Sequence, residues 1–251
     1  MSEQQPKLSV IIITMNEAEN IRPCLESVSW ADEIVVVDSG SSDETLAICQ
    51  EFSAKIVVNS DWQGFGYQKN LALQQATGDW ILSLDADERV TPELRDEIRQ
   101  NLSKPAADGY FLPRQSYFLG KAMRHGGWWP DEILRLFRRG SGEFSNALIH
   151  ESLIVHGKTA KLRQPLLHYS YVNLEQLIGK INHYSTASAK QAQQKGKSGG
   201  LAKALGKGLW TFFRAYFLRG GFLDGPTGLI AAISKAEGSY YNYLKLGYLQ
   251  K

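Results

Sequence analysis

The stretch "WILSLDADERV" (80–90) runs from an apolar, strand-like segment into Asp85, Ala86 and Asp87, two carboxylates separated by one small residue. In an extended chain, residues two apart point to the same face. The pair therefore converges on one spot, where like charges repel unless something positive or bulk water intervenes. A divalent cation is one candidate partner for such a pair, and plain solvent is the other.

Upstream, "LSVIIIT" (8–14), "EIVVVD" (33–38) and "AKIVVN" (54–59) join "WILSL" (80–84) as continuous apolar runs. Continuous rather than alternating runs are the mark of strands buried on both faces. Between them lie about 10 to 20 residues each, long enough for crossover helices. "ENIRPCLESV" supplies the first. "SSDETLAICQEF" supplies the second, with Ser41 or Ser42 as N-cap and Glu44 inside the first turn. "YQKNLALQQA" supplies the third, closed by Gly78. The repetition predicts an α/β fold with a parallel, doubly wound sheet, which binds ligands outside the carboxyl ends of its strands. Asp38 and the Asp85/Asp87 pair stand at two such ends. After Pro92 comes the helical "PELRDEIRQNL", then "DGYFLPRQSYFLG" as strand and turn, then an irregular region over 120–170 with short strand-like runs such as "SLIVHG". Beyond 172 the chain turns helical, with "QQKGKSGG" as a flexible joint.

At 251 residues and 43% hydrophobic content, the chain can bury a substantial core. Its two cysteines, Cys24 and Cys49, lie among apolar neighbours and suit core positions in a reducing cytoplasm. No basic and apolar leader opens the sequence, and no apolar run reaches the roughly 18 residues of a spanning helix. The net charge of +2 conceals an asymmetry: Lys195–Lys251 carries nine Lys/Arg against two Asp/Glu, a net of +7, leaving −5 for residues 1–194. A basic tail suits nucleic acid, a membrane surface or solubility alone. Here Lys203, Lys207, Trp210 and Arg214 recur at helical spacing, as in an interfacial helix on anionic lipid. A helix packed on the rest of the protein or in a dimer is the other reading.

Three tempting motifs fail on spacing. "GKSGG" lacks the first glycine of a phosphate loop, since Gln191 stands there; "HESLIVH" has Ile154 where a zinc-binding histidine belongs; and "TMNEAEN" replaces the glycine-rich turn of a dinucleotide fold. Others hold. "TMNE" (14–17) sets polar side chains just past strand one, either as a capping turn or as part of a site. Asp38 can accept hydrogen bonds from a ribose or base edge, or cap its own turn. "GFGYQKN" adds amide and basic side chains on the same rim.

Taken in order, Asp38, "GFGYQKN" and "GDWILSLDAD" resemble the family 2 glycosyltransferases, which have the GT-A fold, over roughly residues 8–135. The resemblance implies a GT-A domain over 8–170, with a nucleotide-sugar half (8–90) and an acceptor half (91–170), and a helical, basic, membrane-associating region over 171–251. "WWPDEILRLFRRG", "ALIHESLIVHG", "LLHYSY" and "GGFLDGPTGLI" are similar to the cytoplasmic enzymes that add a sugar, notably glucose, to the inner core of lipopolysaccharide. Their reaction is an inverting transfer from a UDP-sugar, assisted by Mg2+ or Mn2+. By the same resemblance Asp87 is the direct metal ligand, and Asp85 reaches ribose or the metal through water. Asp38 accepts from the uracil N3–H, with Thr14, Asn16 and Glu17 beside it. Lys69 lies near the diphosphate or base, unless it is a solvent-facing helix lysine, and Asn70 supports that loop. The family takes its general base from a Glu-Asp pair ahead of an arginine. This chain departs from that pattern with "PDEILR", which makes Asp131 the candidate and leaves Glu132 and Glu151 in reserve. Arg135, Arg138 and Arg139 either hold phosphates or form a solvated turn, and Trp128 and Trp129 either stack on a sugar or pack in the core. His125, His150, His156 and His168 lack metal spacing and read as structural. The expected partners are a UDP-sugar, a glycolipid acceptor and an anionic membrane surface at the inner face of the cytoplasmic membrane, without nucleic acid. Transfer to a polyprenyl phosphate, or non-catalytic binding of nucleotide or glycan, are the alternatives.

Overall fold

The structure is a computed structural model that describes residues 5–145 and 151–250; His150 and Lys251 lie outside the described residues. The chain divides into two compact units. One comprises the chain up to Arg114 together with Glu132–His168, and the other comprises Gln115–Asp131 together with the chain from Tyr169 onward. The acceptor half expected over 91–170 is thus shared between them.

The first unit opens with β1 (Leu8–Thr14), α1 (Ala18–Val28), β2 (Glu33–Asp38), α2 (Thr45–Glu51), β3 (Lys55–Val58), α3 (Phe65–Gln75) and β4 (Trp80–Asp85). It continues through β5 (Glu88–Val90), α4 (Pro92–Ser103) and β6 (Gly109–Phe118). After β7 (Lys121–Ala122) come β8 (Asp131–Arg138), β9 (Gly142–Phe144), β10 (Leu153–Val155), β11 (Thr159–Lys161) and β12 (Leu166–Tyr171). The main sheet runs β3-β2-β1-β4-β8-β6-β12-β5. Its first four strands are parallel, as their double-sided apolar runs predict. The remainder departs from a purely parallel sheet, because β8 returns antiparallel to β4 and β12 antiparallel to β5.

Alternation along the strands feeds two cores. Val10, Ile12, Leu82 and Leu84 pack with Ile21, Leu25, Leu94 and Ile98 of α1 and α4, whereas Ile11, Val35, Val37 and Ile81 pack with Ala72 of α3 and Phe137. Register fixes the functional rim: Thr14 pairs with Asp38, and Ile13 pairs with both Val37 and Asp85. The carboxyl ends of three strands therefore come level.

Two local expectations are corrected. α2 begins at Thr45 with Glu44 as its N-cap residue, not at Ser41 or Ser42. Those serines are engaged by the turn: the Ser41 hydroxyl donates to Asp38, and the Ser42 amide donates to Asn16 Oδ1 at 2.8 Å. Nor does Gly78 close α3, which ends at Gln75 with Ala76 as C-cap. Gly78 instead permits a close approach to β1, since a Cβ there would lie 2.7 Å from Ser9 N and 2.9 Å from the Lys7 carbonyl. Cys24 and Cys49 are free and buried, and burial pushes the Cys49 thiol up to about 11, so it stays an unreactive filler.

In the second unit, α5 (Leu174–Gln194), α6 (Leu201–Phe213) and α7 (Gly225–Leu249) accompany the 115–131 segment. Residues 195–200 separate α5 from α6, where the sequence predicts a joint. Phe118, Met123, Leu177 and Ala231 form a core joined by Trp128, Tyr171 and Ile181. No described helix is long and apolar enough to cross a membrane.

Gly78→Ala is expected to cost about 1–3 kcal/mol, the usual penalty for forcing atoms into a packed contact. A lower denaturant midpoint with an unchanged m-value checks it.

Candidate active site

At the carboxyl end of β1, Asn16 adopts a left-handed conformation, φ 54°. Its amide donates to the Ser41 hydroxyl at 2.8 Å, so the loops after β1 and β2 are tied together. Asp38 is fully buried and organises the second loop: Oδ1 accepts from the Gly40 and Ser41 amides, both at 2.8 Å, and Oδ2 from the Ser41 hydroxyl. The Glu17 amide donates to Thr45 Oγ1 at 2.9 Å, and its carboxylate accepts from Asn20 at 2.8 Å. Thr14 Oγ1, buried beside them, has no hydrogen-bond partner among the described residues.

The end of β4 carries a chain of alternating charges. Lys69 of α3 is 3% exposed, which overturns its reading as a solvent-facing helix lysine. Its Nζ lies 3.0 Å from Asp85 Oδ1 and 2.8 Å from Glu151 Oε1. The other Asp85 oxygen is bound by the Arg135 guanidinium, which also lies 2.7 Å from Glu88 Oε1. Glu88 is fully buried, accepts the Asp85 amide at 3.0 Å and has Arg114 at 3.4 Å. Three cations and three anions thus alternate as Glu151, Lys69, Asp85, Arg135, Glu88 and Arg114. Burial alone would raise the Asp85 carboxyl, but the Arg135 and Lys69 charges outweigh it and hold the group far below the usual carboxylate range. Asn70 braces the assembly by exchanging hydrogen bonds with the Phe144 backbone, at 2.8 and 3.0 Å.

Asp87 stands outside this neutral chain. Its one ionic contact among the described residues is His168 Nε2, 3.3 Å from Oδ2. A carboxylate oxygen and an imidazole nitrogen facing each other at that separation are two donors that one divalent ion can share. No group of three or more His, Cys, Asp and Glu that could hold a metal ion gathers among the described residues, here or elsewhere, so these two side chains would be a partial ligand set. Asp85, with both oxygens taken by cations, is poorly placed for direct ligation.

Several expected residues fall elsewhere. Arg138 pairs in register with Trp80 at the amino end of β4, about 10 Å along the strand from Arg135. There it covers the Trp80 ring at 5.1 Å and approaches Asp108 at 3.6 Å, so it is withdrawn as a phosphate ligand. Arg139 follows it, donating to the Gly78 carbonyl at 2.7 Å. Glu132 pairs with exposed Lys161. Asp131 belongs to the second unit, where its charge is felt by Lys235 of α7. Trp128 packs near Phe118, with ring centroids 5.5 Å apart. Sequence reasoning missed Glu88, Arg114 and His168; only the Asp85-to-Glu88 spacing was visible in one short stretch.

Residues 9–167 match the Glycosyl transferase family 2 model, and the chain belongs to that family. The lipopolysaccharide core biosynthesis glycosyltransferase LpsC of Rhizobium meliloti is 33% identical over 253 residues, covering 95% of this chain and 91% of that protein. An uncharacterized glycosyltransferase of Rickettsia felis is 32% identical over 256 residues, covering 96% and 89%. Among solved structures, the mannosyltransferase PcManGT from Pyrobaculum calidifontis, in complex with GDP-Man and Mn2+, superposes with a TM-score of 0.51 at 17% identity, covering 94% of this chain and 74% of that one. The fold is GT-A, and the chain is a glycosyltransferase.

Arg135→Met strands the fully buried Glu88 and takes one of two cations from the partly buried Asp85, and is expected to destabilise the protein by about 3 kcal/mol. Because the folded Asp85 value is depressed below about 3.9, its stabilisation is fully present above that pH and is lost as the pH falls. The gap between wild type and variant in chemical denaturation should therefore be widest above pH ~4 and narrow below it.

Proposed function

We propose that the protein moves a sugar from a UDP-sugar to a glycolipid of the lipopolysaccharide inner-core class, by inverting displacement with Mn2+ or Mg2+, at the cytoplasmic face of the membrane. The observation that carries this reading is Asp87: Asp85, Glu88 and Glu151 each have a lysine or arginine partner, while the one ionic partner of Asp87 among the described residues is an imidazole. The family membership and the kinship with LpsC support the acceptor class.

Asp87 and His168 would hold the cation, which when bound neutralises charge on the departing diphosphate. Lys69 and Arg135 keep Asp85 oriented. Asp38 fills three of the roughly four acceptor sites of a carboxylate within its own turn, leaving one for the N3–H of uracil. A site built on that hydrogen bond rejects a base lacking the donor.

On the acceptor side, Asp131 takes the proton of the attacking hydroxyl as its oxygen bonds to the anomeric carbon. The bond from that carbon to the diphosphate oxygen breaks on the opposite face, and its electron pair leaves with UDP. Glu151 is engaged by Lys69 at 2.8 Å, and Glu132 is engaged at the surface by Lys161.

Two sets of variants test the assignment by transfer of labelled sugar to extracted core lipid. Asp87→Ala should abolish metal-dependent transfer while the fold persists; unchanged turnover, or full wild-type activity in excess EDTA, contradicts the metal role. Asp131→Asn should keep donor affinity and lose about 10²-fold or more in turnover, the scale of general-base loss. If Glu151→Gln shows that pattern while Asp131→Asn stays active, the base is Glu151.

A further inference from the structure

Between α6 and α7 the second unit makes a π turn, Arg214–Leu218, and a 3-10 turn, Gly221–Asp224. Four large apolar side chains project from it: Phe217, Leu218, Phe222 and Leu223 are 51%, 62%, 48% and 60% exposed. The outer face of α6 leads into this tip with exposed Leu209, Trp210 and Phe213, flanked by Lys203, Lys207 and Arg214. So much contiguous exposed apolar surface marks an interaction site. The flanking cations, in a stretch with nine Lys/Arg against two Asp/Glu, select an anionic lipid surface as its occupant.

The same turn holds the loop that precedes Asp131. Asp224 is 4% exposed; its Oδ2 accepts from the amides of Arg124 at 3.1 Å and His125 at 2.9 Å, and its Oδ1 faces the His125 ring at 2.9 Å. Burial alone would raise this carboxyl, yet the His125 ring and the two amides hold it below its ordinary value. The Arg219 carbonyl accepts the Gly126 amide at 2.8 Å, and Lys121 donates to the Asp224 carbonyl at 2.6 Å. From α7, Lys235 donates to the Gly126 carbonyl at 3.1 Å and lies 4.4 Å over the Trp128 ring.

The turn itself is seated backbone to backbone. A Cβ on Gly221 would lie 2.7 Å from the Ala215 carbonyl, and one on Gly228 of α7 would lie 1.9 Å from the Gly221 carbonyl. Displacing the tip therefore displaces Arg219 and Asp224 with it.

We propose that the tip bearing Phe217, Leu218, Phe222 and Leu223 enters the surface of an anionic bilayer, and that Arg219 and Asp224 at its base transmit this seating to loop 124–131, ordering Asp131 for an acceptor in the same bilayer. The inference rests on the reading of Asp131 as the base. Asp224 is then a positioning residue, remote from the reacting atoms.

Hydrogen exchange on the full chain tests it, with vesicles of phosphatidylglycerol and phosphatidylcholine set against phosphatidylcholine alone. In the wild type, phosphatidylglycerol vesicles should bind the protein and slow exchange at the Arg124, His125 and Gly126 amides about 10-fold, the response of a locally stabilised loop. The surface variant L218S/L223S should lose both effects while its UDP binding is unchanged. Asp224→Asn, which replaces one acceptor oxygen with a donor, should still cosediment but lack the slowing, and its kcat on embedded acceptor should fall with KM for the donor unaltered. Vesicle binding without any change in loop exchange overturns the coupling, as does equal binding by L218S/L223S. Slowed exchange together with a fully active Asp131→Asn upholds the coupling and removes the base assignment. The wild-type comparison needs no variant, so a misfolded Asp224→Asn leaves the test intact.

Discussion

Asp85 is a partly buried carboxylate at the end of a central strand, held there by Lys69 and Arg135, each of which binds one of its oxygens. Stripping water from an ion costs several kcal/mol, so each charge drawn in requires another to face it. Arg135 needs Glu88 as well as Asp85, and Lys69 needs Glu151. The requirement propagates until helix α3, strands β4, β5 and β8 and the segment at Glu151 are bound to one point on the rim. Hydrophobic burial assembles the sheet; this alternation of charge sets where its edges meet.

Neutrality within that chain gives Asp87 its character. Six charges cancel, and the seventh is left facing an imidazole. On the proposed reading, that leaves a place for a cation and, through it, an anionic diphosphate. The second unit has a different economy. Its helices share a small apolar core with the 115–131 segment, and buried Asp224 straps the loop before Asp131 to a turn whose large side chains face outward. The charged rim and the strapped loop before Asp131 thus belong to separate packing systems.

The parallel half of the sheet was legible because β1, β2, β3 and β4 are uninterrupted β-branched or apolar runs that allow few other fates. Asp38, Asp85 and Asp87 were legible for the same reason, since the ends of such runs are the ends of strands. What escaped depended on distance in sequence or on competing hydrogen bonds. Ser41 and Ser42 have the chemistry of helix caps, yet the Asp38 carboxylate and Asn16 claim them. His168 and Arg114 reach the rim from 81 and 26 residues away, measured from Asp87 and Glu88, and no local pattern announces such pairings. Arg138 looked equivalent to Arg135, but an odd spacing in a strand reverses the face and carries the side chain toward the other end of the sheet.

The central claim is that the rim around Asp85 and Asp87 is a metal-dependent site for a uridine diphosphate. Calorimetric titration of UDP into the wild-type protein, with Mn2+ and then with EDTA, and of GDP beside it, tests this most directly. The account predicts saturable one-to-one binding of UDP with Mn2+, little heat in EDTA and weaker binding of GDP. Equal binding of UDP with and without metal, or tighter binding of GDP, would contradict it.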